Sequence, residues 1–351
     1  MKRKISILSC IIITILALSC ERHSGYVKIE GYAQGGVYSV TFNMEGVDRQ
    51  PAEIRDSVEN ILRRIDFTLS GYNKNSVLSR FNAGETVVVD EMFAEIYAMG
   101  YDVWKETEGA VDVTFSPLFD MWGFGFRNGS LPSADQVDSV MAHCGMGLCR
   151  ESISYLTGTS VTPTSLYIEP HDSASPQLNY NAIAQGYSCD LVARYLYSVG
   201  VKDMMVNIGE IFCDGKNPSG EAWTIGIDRP EDGNNELGAQ LQGVFSVPEG
   251  PHGVVTSGNY RKFYVKDGKK YAHTIDPRTG YPVEHNLLSA TIIAENAMLA
   301  DAYATYCMVI GFNQAKTFIE SREDLEGCLV YDEGGEFVTW CSAGLETRIV
   351  Q

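Results

Sequence analysis

Hydrophobic positions recur along this chain at two spacings, and each predicts its own elements. From Pro51 onward Ile54, Val58, Ile61, Leu62, Ile65 and Leu69 repeat every three to four residues, which lays one apolar stripe along a helix. Proline suits the first turn, where its missing N–H would have no partner anyway. Asp90 predicts the cap of a second helix reaching Glu108 and stopped by Gly109, and Ser133 caps a third ending near His143. The run from Ile183 to Val199, closed by Gly200, predicts a fourth; Asn296 caps a fifth that Gly311 ends, with a short helix after it. Runs rich in β-branched and aromatic residues predict strands at Tyr26 to Ala33, Val37 to Asn43, Met204 to Cys213, Trp223 to Asp228, Val254 to Thr256, Arg261 to Lys266 and Leu288 to Ala294, and two more finish the chain. The interleaving is irregular, unlike the alternation of a doubly wound sheet. It predicts an α+β fold in which residues 26–351 form a single domain with a mixed, largely antiparallel sheet and flanking helices. No Gly-, Pro- or Ser-rich stretch separates one part from another, and no repeat of solenoid length is present.

The first residues break this pattern. Lys2, Arg3 and Lys4 precede an apolar run from Ile5 to Leu18, the layout of a secretory signal peptide over residues 1–19. The run is short of the roughly 20 residues that span a bilayer. Ala17-Leu18-Ser19-Cys20 is similar to the box at which bacterial lipoproteins are cleaved and lipidated on cysteine, although Ala17 stands where Leu or Val is usual. The expectation is an exported protein, lipidated on Cys20, tethered through residues 20–25 and facing the periplasm or cell exterior; a plain cleaved or N-terminally anchored form is the alternative.

Composition narrows the partners. The 351 residues carry 27 Lys plus Arg against 45 Asp plus Glu, a formal charge of −18, and losing the leader removes three cations and no acid, giving −21. Such a chain repels a phosphate backbone, so nucleic acid is excluded as a partner class. Of nine cysteines, Cys144, Cys149, Cys189, Cys213, Cys307, Cys328 and Cys341 lie beyond the leader and Cys20. Seven cannot all pair, and without CxxC spacing they read as small buried hydrophobes, with Cys144 and Cys149 an open possibility. Neither GxGxxG after a strand nor GxxxxGK[ST] is present, so the two common nucleotide cradles are absent.

Several segments could carry chemistry. In Tyr271-Ala272-His273-Thr274-Ile275-Asp276-Pro277-Arg278-Thr279-Gly280-Tyr281-Pro282, Asp-Pro and Thr-Gly-x-Pro set a rigid turn that can hold His273, a side chain poised to take a proton near neutral pH. A core histidine with a satisfied hydrogen bond is the competing reading. Asp301 and Thr305, four apart on one helical face, offer hard oxygen ligands to Mg²⁺; an ordinary solvated helix face would look the same. Asn179 to Tyr187 enters a helix whose free N–H groups could face a pyrophosphate, or whose Asn181 could simply cap it. Gly109 to Thr114 and Pro117 to Gly125 combine tight turns with aromatic faces, which suits a planar ring as well as core packing.

Taken in order, Ser70-Gly71-Tyr72 with Asn75 to Asn82, Gly109 to Gly125, Asn179 to Asp190, Thr256 to Tyr260, His273 to Pro282 and Asp301 to Thr305 resemble the ApbE family, the FAD:protein FMN transferases, over nearly the whole mature chain. The resemblance implies a T-fold-like α+β body that binds FAD, uses Mg²⁺ to cleave its pyrophosphate, and transfers FMN to a threonine of a partner protein, with AMP released. The acceptor it implies is a subunit of a membrane redox complex. Residue by residue, it implies metal contacts from Asp301, Thr305 and the Ala182 carbonyl, FAD contacts from Gln34, Tyr72, Ala110, Val111, Asp112, Asn179, Gln185 and Ile275, and His273 as the base. A hydrolase giving free FMN and AMP, and a flavin-binding lipoprotein without turnover, are the alternatives. This sequence departs from the family where Gln34 and Gly36 flank Gly35 in place of Met-Gly-Thr, where Asn179 replaces Asp, where Gln185 replaces Lys or Glu, and in Val206 to Ile211, which carries one glycine of a usual pair.

Overall fold

A computed structural model describes residues 25–85, 87–124, 131–149, 166–168, 177–231, 240–259, 263–266 and 269–350, with backbone alone at 149, 166–168, 263–266 and 269–272. The leader, Cys20, residues 21–24, Gly125, Tyr260 and Arg261 lie outside these residues.

The chain starts as a hairpin, β1 (Tyr26–Ala33) and β2 (Gly36–Asn43). Gln34 and Gly35 connect them with φ of 52° and 81°, the two left-handed positions that match a hairpin's right-handed twist. Next come α1 (Pro51–Leu69), α2 (Val77–Asn82), β3 (Val87–Val89), α3 (Glu91–Glu106), α4 (Ser116–Met121), α5 (Ala134–Met141) and β4 (Leu166–Ile168). The helix α6 (Ala184–Ser198) leads into β5 (Met204–Asn207), β6 (Ile211–Asp214), β7 (Thr224–Asp228), β8 (Leu241–Ser246) and β9 (His252–Gly258). Short strands β10 (Phe263–Lys266), β11 (Lys269–Ala272), β12 (Ile275–Asp276) and β13 (Tyr281–Pro282) precede β14 (Leu287–Ala294). Then α7 (Ala297–Ile310), α8 (Phe312–Glu320), β15 (Glu326–Glu333), β16 (Glu336–Cys341), α9 (Ala343–Glu346) and β17 (Ile349–Val350) finish the chain.

The principal sheet has the order β1-β2-β5-β6-β9-β14-β15-β16, and every neighbouring pair in it is antiparallel. Both faces are covered. Helices α6 and α7 lie side by side on one face, with α1 against α6. The small sheet β17-β8-β7 packs on the other, where Trp223, Ile225 and Phe245 meet Cys213, Val254, Ile293 and Cys328. Neighbouring residues of one strand therefore enter different clusters: Val255 and Ile292 pack with α7, while Val254 and Ile293 face the small sheet. This explains why β14, LLSATIIA, is buried along nearly its whole length, where a half-exposed strand would alternate.

The expected α+β architecture stands, with local corrections. Met204 to Cys213 is a hairpin of two strands, because Gly209 at φ +93° reverses the chain and Ile208 N–H donates to Glu210 O at 2.9 Å. Helix α3 ends at Glu106; Glu108 at φ 52° and Gly109 at φ 82° turn left-handed, and Gly109 N–H reaches back to Trp104 O at 2.8 Å. Helix α2 was not expected from periodicity, since six residues are too few to show it; Ser76 caps it by accepting from Ser79 N–H at 2.9 Å. Asn181 does not cap α6, whose N-cap residue is Ile183; instead Asn179 Oδ1 accepts from Asn181 N–H at 2.8 Å.

Candidate functional site

Hydrogen bonds connect the six segments singled out in the sequence. Ser70 to Asn82 closes on itself, with Ser76 and Ser79 hydroxyls both donating to Ser70 O, and places Tyr72 on the surface. At the end of this segment Asn82 exchanges two bonds with the backbone of Leu178, 2.8 Å each, beside Asn179. Asn179 N–H in turn donates to Val113 O at 2.6 Å, which lays residues 109–115 along 177–181. The same segment continues into α4, where Trp122 Nε1 donates to Gly280 O at 2.8 Å and the Phe124 ring stands edge-on to His273 with centroids 6.4 Å apart. Thr274, next to His273, donates to the buried Asn259 Oδ1 at 2.6 Å, and so joins the segment that follows β9.

His273 thus sits, half-buried, where several restraints meet. Besides the Thr274 bond, Val283 N–H donates to Thr274 O, and the turn below is closed by Gly280 N–H on Asp276 O at 2.8 Å. The Asp276 carboxylate accepts from Arg278 at 2.9 and 2.8 Å, which fixes the Asp-Pro-Arg corner. Ile275 packs with Leu118, Trp122 and Val137.

The second centre lies at the start of α6. Asp301 on α7 is 5% exposed, and its Oδ2 accepts from Gly186 N–H at 3.1 Å. Gly186 is the third residue of α6, where a helix N–H has no carbonyl of its own, and the first helical bond is that of Tyr187 N–H to Ile183 O. Asp301 supplies that partner, and the Ala182 carbonyl, just before the helix, accepts no backbone N–H among the described residues. Burial and the nearby Glu210 carboxylate push the Asp301 carboxyl well above its usual range. Thr305 lies one turn further along α7, half-buried. An open carbonyl, a hydroxyl and a buried carboxylate that pays for its burial with only one N–H are hard oxygen donors suited to a divalent cation. One carboxylate leaves most of the coordination shell to water and phosphate, as Mg²⁺ prefers.

The remaining residues of the implied set are placed unevenly. Gln34 reaches α6, with Nε2 donating to Ser188 Oγ at 2.6 Å. Gln185 donates to Ile208 O at 3.4 Å, and a Cβ on Gly209 would stand 2.5 Å from its Nε2. Glycine suits Gly209 because its φ of +93° is one that other residues rarely adopt. Asp112 ties its own loop: Thr114 N–H and hydroxyl donate to Oδ1 at 2.8 and 2.6 Å, Met146 N–H to Oδ2 at 2.9 Å, and burial raises its pKa. Ala110 and Val111 bury their side chains in the two clusters on the helix side of the sheet, so only their backbones are available to a ligand. Sequence reasoning missed Gly186 as the Asp301 donor, Ser188 as the Gln34 partner, and Asp190, which accepts from Ala297 and Met298 N–H at 2.8 and 2.9 Å to cap α7. A helix-entry glycine and an acid one turn further on were the available signals.

An antiparallel sheet faced by two helices thus carries two candidate centres, a buried acid at the start of α6 and a histidine on a braced turn. The ApbE family model matches residues 34–329, and the chain belongs to that family. It is 32% identical to the FAD:protein FMN transferase of Escherichia coli K12 over 329 residues, covering 92% of this chain and 89% of that one. With the Haemophilus influenzae FAD:protein FMN transferase it shares 30% over 356 residues, 99% of this chain and 98% of the other. Among solved structures, the Vibrio cholerae flavin transferase ApbE superposes with a TM-score of 0.74 at 26% identity, covering 92% and 99% of the two chains. The apo Pseudomonas stutzeri flavinyl transferase ApbE gives 0.74 at 31%, covering 91% and 95%.

Proposed function

We infer that this chain is a flavin transferase: an enzyme that cleaves FAD and attaches FMN through a phosphoester to a threonine of an acceptor protein, releasing AMP. Family membership and the names of its relatives support flavin transfer from FAD to protein. The observation that carries the finer reading is the buried Asp301 carboxyl joined to the start of α6 through Gly186 N–H, with the Ala182 carbonyl left without a backbone donor among the described residues. Asp301, Thr305 and Ala182 would hold Mg²⁺, which when bound neutralises charge on the pyrophosphate. FAD would lie against Gln34, Tyr72, Asp112, Asn179, Gln185 and Ile275, with the Ala110 and Val111 backbones beside it.

His273 takes the proton of the threonine hydroxyl as its oxygen bonds the phosphorus on the riboflavin side and the P–O bond to AMP breaks. The turn at Asp276 to Gly280 keeps the imidazole in place during this step. The export and lipid reading makes the acceptor an extracytoplasmic subunit of a membrane redox complex, with Cys20 as the anchor. Incubating the mature protein with FAD, Mg²⁺ and a threonine-bearing acceptor should add one FMN mass to the acceptor and release one AMP for each. AMP and free FMN forming at the same rate without acceptor would make the chain a hydrolase instead. Incorporation of labelled palmitate, lost in Cys20→Ala, checks the anchor.

A further inference from the structure

Cys328 and Cys341 face each other across β15 and β16. Their neighbours Gly327 and Ser342 are joined by a backbone bond, Ser342 N–H to Gly327 O at 2.9 Å, so the cysteines occupy the adjoining non-hydrogen-bonded position. Antiparallel backbones approach most closely there, to about 4.5 Å between Cα atoms, within the span of a disulfide. The two Sγ atoms lie 2.6 Å apart. Cys328 is buried, Cys341 is reachable from solvent, and β16 is the last strand of the principal sheet. Cys213 lies in the same cluster of buried residues, but the close sulfur contact is between Cys328 and Cys341.

We propose that Cys328 and Cys341 are a redox site which a disulfide-class oxidant, small molecule or protein, converts to a cross-strand disulfide that staples the edge strand β16 to β15. The Cys341 thiolate attacks one oxidant sulfur and displaces the other as a thiolate. Cys328 sulfur then attacks Cys341 sulfur, forming the protein S–S bond and expelling the second thiolate. The two cysteines lose two electrons and two protons; the oxidant gains both electrons and, once its thiolates are protonated, leaves as two thiols. Hydrogen bonding of the Cys328 S–H to Cys341 lowers the Cys341 pKa and raises that of Cys328, which orders the attack.

In the cell this step rests on the exported reading, because only an oxidising compartment sustains it; in the test tube it does not. The native full chain is treated with oxidised glutathione, quenched with an alkylating reagent and digested without reductant. The expected product is a linked pair of peptides bearing Cys328 and Cys341, two hydrogens lighter, with no glutathione on either, while Cys328→Ser keeps glutathione on Cys341. Wild-type protein that retains glutathione on Cys341, or alkylates fully at both cysteines, would overturn the proposal. The same digest of protein taken from its own cells separates the two readings. A bond that forms in vitro but is absent there counts against export and leaves the thiol pair standing.

Discussion

Asp301 carries most of the electrostatic tension of the site: a carboxylate 5% exposed, facing Glu210, with one backbone N–H for company. Burial and Glu210 favour the neutral acid, and a bound cation would stabilise the ionised form that burial opposes. Magnesium should therefore raise the melting temperature of the wild type, and Asp301→Asn should abolish that rise and lower turnover on the order of 10²-fold; calorimetry with and without magnesium checks it. The role proposed for His273 is different, so its removal should look different. We expect His273→Ala to bind FAD within a few-fold of wild type while transfer falls roughly 10²- to 10⁴-fold, the range of a general base. Flavin fluorescence titration beside a mass-based transfer assay separates the two effects.

At the scale of elements, the approach of α6 to α7 positions the site. A Cβ at Gly186 would stand 2.2 Å from Ala297 O and 2.8 Å from Met298 Cα, so any larger residue pushes the helices apart. Gly186→Ala should destabilise by roughly 2–3 kcal/mol and weaken the magnesium-induced shift with it, both visible in thermal melts. Asp190 caps the start of α7, and burial lifts its pKa to about 6 against the opposing pull of the two backbone bonds and Arg194, with Glu95 adding to the rise. A carboxyl whose folded pKa is raised contributes stability below its unfolded value near 4, and this is lost as pH climbs through 6. Asp190→Asn should flatten that decline, worth on the order of 1–3 kcal/mol, in melts taken from pH 4 to 7.

These elements were unequally legible. Helices α1 and α7 announced themselves by apolar spacing and caps, and Asn296 does accept from Leu299 N–H at 2.8 Å. The β5–β6 hairpin did not, because a strand glycine and a turn glycine are identical until the fold assigns φ. For the site, Asp301 was legible as a candidate ligand and His273 as a candidate base from their type and surroundings, whereas Ile275 entered only through the resemblance to the family. That Asp190 would cap α7 was out of reach, since its partners lie 107 and 108 residues along the chain.

Across the whole molecule, the principal sheet assembles from two stretches of sequence. Strands β1, β2, β5 and β6 come from residues before 215, and β9, β14, β15 and β16 from residues after 251. They meet where Ile211, Phe212 and Cys213 register with Val254, Gly253 and His252. Gly186 with Asp301, and Asp190 with Ala297, bridge the same division on the helix side, and β7 pairs with β8 on the other.

The protein is consequently severable. Cutting the backbone between β7 and β8 would give two polypeptides, one holding Ala182 and the other Asp301 and Thr305 of the implied metal ligands, and neither should bind FAD as the whole chain does. Mixed together, they should reconstitute transfer with a rate that depends on the concentration of both, and magnesium should tighten their association. Complementation of this kind, followed by dilution, would measure in one titration how strongly the ligand site glues the two halves of the fold.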